Sequence, residues 1–200
     1  MNFIKEFDRY VGVYGKPDHI ELMLCDLNGI IRGKWHPTDQ IEKLTSGGVR
    51  LPLSTYVPNI FGEDVVETGY GIISGDPDAR IVTVPNTLKR VTWKKNNVAQ
   101  VLVEMVSKEG AISPLSSRQI LNTTWERLQG CGLYPVVACE LEFYLFDKRE
   151  KPSDPPTIPS RDLKAQNYDL EVLDRNKDFL HDVQVASSTL GLPTDAMLAE

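Results

Sequence analysis

The sequence is poor in cysteine, and its three cysteines have no metal-binding spacing. Cys25, Cys131 and Cys139 each lie in an apolar stretch. The first eight residues include Glu6 and Asp8 and contain no apolar core of a secretory leader. An odd cysteine count without such a leader is typical of reduced thiols, so the sequence predicts a cytoplasmic protein.

Long hydrophobic runs and an excess of positive charge are also absent. No apolar run approaches the roughly 20 residues of a membrane-spanning helix, which argues against a membrane partner. The net charge of -6 argues against a nucleic-acid partner, because phosphate binding needs a basic surface. With 41% hydrophobic and 25% charged residues, the 200-residue chain has the composition of a globular protein with one large or two small domains.

The first half of the sequence predicts a small mixed α+β unit. Apolar residues at helical spacing predict a helix over residues 2–12. The apolar runs 20–26 and 30–35 flank Asn28-Gly29, which predicts a hairpin with a type I′ turn and positive φ at both central positions. A helix from Thr38 to about Leu44, ended by Gly47-Gly48, and strands at 80–84 and 98–106 complete the unit.

A second unit is predicted to begin near Ser113. Its expected elements, in order, are a helix at 118–128, a strand at 134–146, a proline-rich loop at 148–160, a helix at 173–190 and the opening of another strand at 195–200.

Two carboxylates in the predicted strand 134–146 are the main candidates for chemistry. Side chains alternate along a strand, so Glu140 and Glu142 would point to the same side with Cα atoms about 6.7 Å apart. Their flanks are apolar, and two carboxylates there would repel each other unless a hard cation such as Mg²⁺ or Mn²⁺ bound them. The spacing alone favours a solvated Glu-x-Glu face on an edge or half-exposed strand.

The segment from Glu140 to Asp147 resembles the strand that opens the catalytic domain of the glutamine synthetase family. Further similar pieces follow the family's order: Asp26-Leu27-Asn28-Gly29 with Arg32-Gly33-Lys34, Gly75-Asp76-Pro77-Asp78, Ser117-Arg118, Tyr168 and Glu200. The resemblance implies an α+β fold, with a β-grasp-like domain at 1–107 and the first part of the catalytic α/β domain at 108–200.

The same resemblance implies the ligands and the reaction. It assigns Glu142 and Glu200 to one divalent metal and Glu140 to the metal that holds the ATP phosphates, and it implies substrate-binding roles for Tyr168 and Ser54. The implied cofactors are ATP and Mg²⁺ or Mn²⁺, and the implied partners are glutamate, an amine and further copies of the chain in a ring-shaped homo-oligomer. The family's reaction joins glutamate to ammonia or an amine, and residues 1–200 alone are expected to have little or no activity.

The stretch around Ser54 departs from the pattern of family members that use ammonia. Those proteins have a Phe-Asp-Gly-Ser-Ser-like stretch whose Asp helps to bind ammonium, whereas Leu51 or Pro52 stands at that place here. In this respect the chain resembles the branch that makes γ-glutamylpolyamines, with an acceptor such as putrescine.

Three alternatives to a polyamine ligase stay open. Glu63 or Asp64 could supply the missing carboxylate, and the protein would then be a glutamine synthetase that uses ammonia. The chain could also belong to a catalytically silent family member with a structural or regulatory role. Finally, it could be a free-standing β-grasp binding module, for which solvent-exposed Glu140 and Glu142 would be expected.

Overall fold

The computed structural model describes residues 2–157 and 167–199, and six strands within them form one mixed sheet. The strands are β1 His19–Cys25, β2 Ile31–Pro37, β3 Arg50–Pro52, β4 Asp78–Thr83, β5 Lys89–Arg90 and β6 Val98–Val106. Their order in the sheet is β2-β1-β6-β4-β3, and β5 also pairs with β6.

The pairing of β1 defines the topology. β1 forms an antiparallel hairpin with β2, from His19 opposite Pro37 to Cys25 opposite Ile31. On its other side β1 runs parallel to β6, and β6 pairs antiparallel with β4. A hairpin whose first strand lies parallel to a later central strand is the β-grasp arrangement, so the predicted α+β fold class is confirmed.

Two helices of the first half lie near their predicted positions, although the second begins four residues later than predicted. Helix α1 spans Phe3–Tyr14, and the Asn2 side chain accepts a hydrogen bond from the Ile4 N–H (3.1 Å), which satisfies a free donor of the first turn. A 3₁₀ turn at Thr38–Gln40 precedes α2, Glu42–Ser46. Gly47 ends α2 in the left-handed conformation (φ +78°), which glycine adopts without steric cost.

The hydrophobic core lies between the sheet and these helices. Alternate residues of β1 are buried, as expected for a strand with one face on the core. Strand β6, which lies between β1 and β4 in the sheet, is buried along almost its whole length. The fully buried apolar side chains include Ile20, Leu22, Leu24, Ile81, Val101 and Met105.

The hairpin turn differs from the predicted type I′ turn. Gly29 has a positive φ of +78°, but Asn28 does not. Instead, Asp26 directs the turn, because its carboxylate accepts the N–H groups of Asn28 (2.9 Å) and Ile30 (2.8 Å). The Arg32 guanidinium donates to the second carboxylate oxygen (2.9 Å). An aspartate side chain that binds backbone N–H groups two and four residues ahead removes the need for a positive φ at Asn28.

The second half matches the predicted helices but not the predicted strands. Helix α3 spans Ser117–Gly130, with Ser116 as its N-cap. The helix predicted at 173–190 is two helices, α4 Leu170–Arg175 and α5 Lys177–Leu190, separated at Asn176. Residues 134–146 and 195–199 form no strand. A strand exists only where another strand accepts its backbone hydrogen bonds, and the described residues offer these two segments no such partner.

Among the described residues, no helix is long and apolar enough to span a membrane. The domain boundary at residue 107 stays a prediction.

A buried hydrogen-bond network joins the sheet to the start of α3. The Tyr56 hydroxyl accepts the Met105 N–H (3.0 Å), and Ser116 donates to Glu104 Oε1 (2.8 Å) while capping α3. Burial of the phenol raises the pKa of Tyr56, so the group remains a neutral hydroxyl throughout the physiological range.

Replacing Tyr56 by Phe is expected to lower the free energy of unfolding by about 1–3 kcal/mol, because the buried Met105 N–H loses its acceptor. Urea denaturation followed by tryptophan fluorescence measures this loss. Tyr70→Phe is the matched control, since Tyr70 also packs on the core but no hydrogen bond of its hydroxyl occurs among the described residues. Equal effects of the two substitutions would contradict a role for the Tyr56 hydroxyl.

Candidate functional site

Glu140 and Glu142 lie in an exposed segment that has no regular secondary structure. The apolar neighbours that were expected to be covered are also exposed: Val136 is 98% and Leu141 is 88% accessible. One anchor of this segment is Phe143, whose ring meets Phe179 of α5 edge-on at 5.8 Å between centroids. Both carboxylates are therefore in solvent, which is the placement expected for the binding-module alternative.

The structure does not assemble a complete metal site from the described residues. Glu140 and Glu142 are oxygen donors of the type that Mg²⁺ prefers, so their chemistry fits the ion. However, no group of three His, Cys, Asp or Glu side chains arranged to hold a metal occurs within 2–157 and 167–199. Glu200, the third predicted ligand, lies outside the described residues. The three metal assignments stay predictions.

Tyr168 lies beside the residue that precedes Glu200. Its backbone N–H donates to the Ala199 carbonyl at 2.7 Å. Tyr168 adopts a positive φ of +59°, which is uncommon for a bulky residue, and its side chain is 68% exposed. The structure thus joins Tyr168 to the backbone of Ala199, and the substrate-binding role of Tyr168 stays a prediction.

Ser54 lies next to a carboxylate that sequence reasoning did not assign. The Ser54 hydroxyl donates to Asp76 Oδ2 at 2.7 Å, and its backbone N–H donates to Asp76 Oδ1 at 3.2 Å. A third contact, from the Leu53 N–H to the Pro77 carbonyl (3.2 Å), holds the two chain segments together. The segments come into register because β3 and β4 pair antiparallel, with Pro52 opposite Asp78.

The two carboxylates proposed from sequence as substitutes for the missing Asp have other partners. Glu63 accepts a hydrogen bond from the Asn59 side chain (2.8 Å), and Asp64 accepts the Ile72 N–H (3.2 Å). Both side chains are exposed and neither bonds to Ser54. The carboxylate beside Ser54 is Asp76.

Asp76 was visible in the sequence only as part of an acidic turn, Gly75-Asp76-Pro77-Asp78. It is 22 residues from Ser54, and no spacing rule links positions so far apart. The antiparallel pairing of two short strands joins them, and a three-residue strand such as β3 leaves little trace in a sequence rich in Gly and Pro.

The tip of the β1–β2 hairpin is hydrogen-bonded to the backbone that follows Ser54. The Leu27 N–H donates to the Tyr56 carbonyl (2.9 Å), and the Asn28 side chain donates to the Pro58 carbonyl (2.7 Å). The buried Asp26 carboxylate shapes this tip. Burial raises the pKa of Asp26, but the hydrogen bonds from Ile30, Arg32 and Asn28 outweigh it, so the pKa lies below its usual range.

Comparison with known proteins identifies relatives over nearly the whole chain. Residues 114–200 match the family "Glutamine synthetase, catalytic domain". The γ-glutamylputrescine synthetase PuuA of Escherichia coli (strain K12) is 34% identical over 204 residues, which covers 99% of this chain and 43% of the relative. Glutamate--isopropylamine ligase of a Pseudomonas species is 31% identical over 140 residues, covering 65% of this chain and 28% of that protein.

Solved structures show the same fold. A crystal structure of a novel glutamine synthase homolog aligns with a TM-score of 0.66 at 16% identity, covering 92% of this chain and 41% of the other. The chain thus spans less than half the length of the curated relatives it matches here. From the order of the matching motifs, the β-grasp sheet and the 34% identity in an alignment that covers 99% of its residues, the chain belongs to the glutamine synthetase family.

Proposed function

We propose that the protein containing this chain is an ATP-dependent ligase that joins the γ-carboxylate of glutamate to an amine through a γ-glutamyl phosphate. The proposed acceptor is a polyamine such as putrescine. The supporting observation is the 34% identity to γ-glutamylputrescine synthetase across 99% of the chain.

The residues around Ser54 agree with a larger acceptor than ammonia. Leu51 is buried in the core and Pro52 is half-buried, so the accessible residue at this place is the apolar Pro52, where ammonia-using members have an Asp. An organic amine gains free energy from contact with an apolar residue, whereas the ammonium ion needs hydrogen-bond acceptors and negative charge. A second relative named for an amine substrate, glutamate--isopropylamine ligase, shows that organic amines occur as acceptors among the relatives.

Glu140, Glu142 and Glu200 are the residues that would hold divalent cations in this proposal. Both partners of the first step, ATP and the glutamate carboxylate, are anions. Bound Mg²⁺ or Mn²⁺ would offset this repulsion and the charge on the transferred phosphoryl group. The exposed carboxylates of Glu140 and Glu142 are available as oxygen donors to such ions.

The direct test is phosphate release from ATP by the full-length protein with glutamate and Mg²⁺, using putrescine, isopropylamine or ammonia as the acceptor. We expect kcat/KM with putrescine to exceed that with ammonia by at least about tenfold, because burial of its methylene groups adds binding free energy. Omitting glutamate is the control for simple ATP hydrolysis, and mass spectrometry of the product confirms the new amide bond.

The alternatives predict different results. A preference for ammonia would identify a glutamine synthetase proper. Absence of turnover with every acceptor would favour the catalytically silent member.

A homo-oligomer and a cytoplasmic location belong to the same proposal, and light scattering of the full-length protein tests the oligomer.

A further inference from the structure

We propose that protonation of His19 transfers the Glu21 carboxylate from Lys94 to His19 and so releases the loop at 91–97 from the sheet. The side chains involved come from three neighbouring segments. His19 and Glu21 are on β1, Trp35 lies opposite Glu21 on β2, and Lys94 belongs to the loop between β5 and β6.

His19 lies where a change of its charge changes its contacts. Its side chain is 20% exposed, and its Nε2 atom is shielded from solvent without a hydrogen-bond partner among the described residues. The Glu21 carboxylate is 3.7 Å from Nε2, which is too far for a hydrogen bond but close enough for an ion pair. The imidazole ring stacks on the Trp35 indole with 4.2 Å between ring centroids. A proton on Nε2 would therefore create a charge-assisted contact with Glu21.

Glu21 already has a second cation as its partner. The Lys94 ammonium donates to Glu21 Oε1, the same oxygen that faces His19. Lys94 also lies over the Trp35 ring, 5.6 Å from its centroid. When His19 becomes charged, the two cations compete for one carboxylate oxygen and repel each other.

The remaining surroundings of this cluster are uncharged. Strand β6 places Val98 opposite His19 and Gln100 opposite Glu21. Within 2–157 and 167–199, no further charged group forms an ion pair with His19, Glu21 or Lys94. The outcome of the competition is thus decided by His19 and Lys94 themselves.

The less exposed cation is expected to displace the more exposed one. The His19 imidazolium is fixed on a strand, and a desolvated charge depends strongly on its partner. Lys94 is 35% exposed, and its strongly hydrated ammonium lies at the end of a flexible stem that reaches water at little cost. Histidine side chains change charge between about pH 5 and 8, so acidification through this range should move Glu21 from Lys94 to His19.

Lys94 holds the middle of the loop against the sheet. Among the described residues, no other side chain of 92–96 forms a hydrogen bond or an ion pair. The end of the loop is held separately by Asn97, whose side chain donates to the Tyr14 carbonyl (2.9 Å) and whose carbonyl accepts the Asp18 N–H (2.8 Å). Loss of the Lys94–Glu21 pair therefore frees 92–96 and leaves the sheet in place.

Lysine acylation of the full-length protein, followed by mass spectrometry, tests this transfer. Lys95 is the internal reference, because it is the exposed neighbour of Lys94 and forms no ion pair among the described residues. We expect Lys94 to react about fivefold more slowly than Lys95 at pH 8 and less than about twofold more slowly at pH 6. The ratio of the two rates cancels the general fall in amine reactivity on acidification.

Three variants assign the response. His19→Phe keeps a ring that stacks on Trp35 but binds no proton, so the slower reaction of Lys94 should persist at the lower pH. Glu21→Gln should abolish it throughout. His181→Gln, which changes an exposed histidine of α5, is the matched control and should respond to pH like the wild type.

Three results would each overturn the proposal. The first is equal reactivity of Lys94 and Lys95 in the wild type at the higher pH. The second is a slower reaction of Lys94 in the wild type that does not change on acidification. The third is a pH response that survives in His19→Phe, since another group would then be responsible.

Discussion

With the proposed ligase function, replacing Glu142 by Gln in the full-length protein is expected to lower kcat at saturating ATP and glutamate by about 1,000-fold. Gln keeps the size of the side chain but removes the negative charge that a hard cation requires. A bound cation provides several kcal/mol of transition-state stabilisation in phosphoryl transfer, and 4 kcal/mol corresponds to about 1,000-fold in rate. Steady-state phosphate release measures the loss.

A measurement of Mn²⁺ binding shows whether Glu142→Gln loses activity because a metal ligand is missing or because the protein is misfolded. We expect Glu142→Gln to bind one Mn²⁺ fewer per subunit, or to bind it at least about tenfold more weakly, with an unchanged circular dichroism spectrum. The matched control is Glu150→Gln, because Glu150 is another exposed carboxylate of the same region and should be silent. Retention of more than a tenth of the wild-type activity by Glu142→Gln would refute a metal role for this residue.

The second large effect is expected at the hairpin tip, where Asp26→Ala should destabilise the chain by about 3 kcal/mol. The Asp26 side chain is only 1% exposed and accepts hydrogen bonds from two backbone N–H groups and from Arg32. Removing the carboxylate leaves the buried N–H donors unpaired and takes the partner from the partly exposed Arg32 guanidinium, and unpaired buried donors are costly. Chemical denaturation at pH 7 measures the change.

Asp39→Ala provides the contrast, since Asp39 also pairs with a basic side chain, Lys16, but both partners are exposed. An exposed ion pair contributes little, so its loss should cost less than about 1 kcal/mol. Equal costs at the two positions would show that burial does not govern the Asp26 interaction.

The Asp26 contribution should also depend on pH in a direction that follows from its lowered pKa. The carboxylate binds a proton less readily in the folded chain than in the unfolded chain, whose Asp pKa is about 3.9. Its stabilisation is therefore fully present above about pH 4 and is lost as the pH falls through the lower folded-state pKa. The stability difference between wild type and Asp26→Ala should be flat from pH 5 to 8 and shrink below pH 4.

Local patterns were sufficient to predict much of the first half. The apolar periodicity of α1, the Gly47 stop of α2 and the continuous apolar run of β6 are properties of neighbouring residues, and the structure confirms each of them. The hairpin was also predicted, but its turn type was wrong, because the Asp26 side chain replaces the backbone geometry that Asn28-Gly29 favours.

The predicted site could not be assembled by the same reasoning. The strand at 134–146 was inferred from its apolar pattern and from the resemblance to a family strand. A strand also needs hydrogen-bonding partners, and the described residues have none for it. The apolar pattern identifies residues that favour burial but does not show what covers them.

The sequence by itself determined the family, the α+β class and the candidate carboxylates Glu140, Glu142 and Glu200. Motifs and periodicity are properties of residues that are near one another in the sequence. Only the tertiary structure decided which carboxylate stands beside Ser54. Asp76 reaches it through the pairing of β3 with β4, which joins positions 22 residues apart. Contacts of this kind depend on the path of the backbone through the whole sheet, and no local pattern specifies that path.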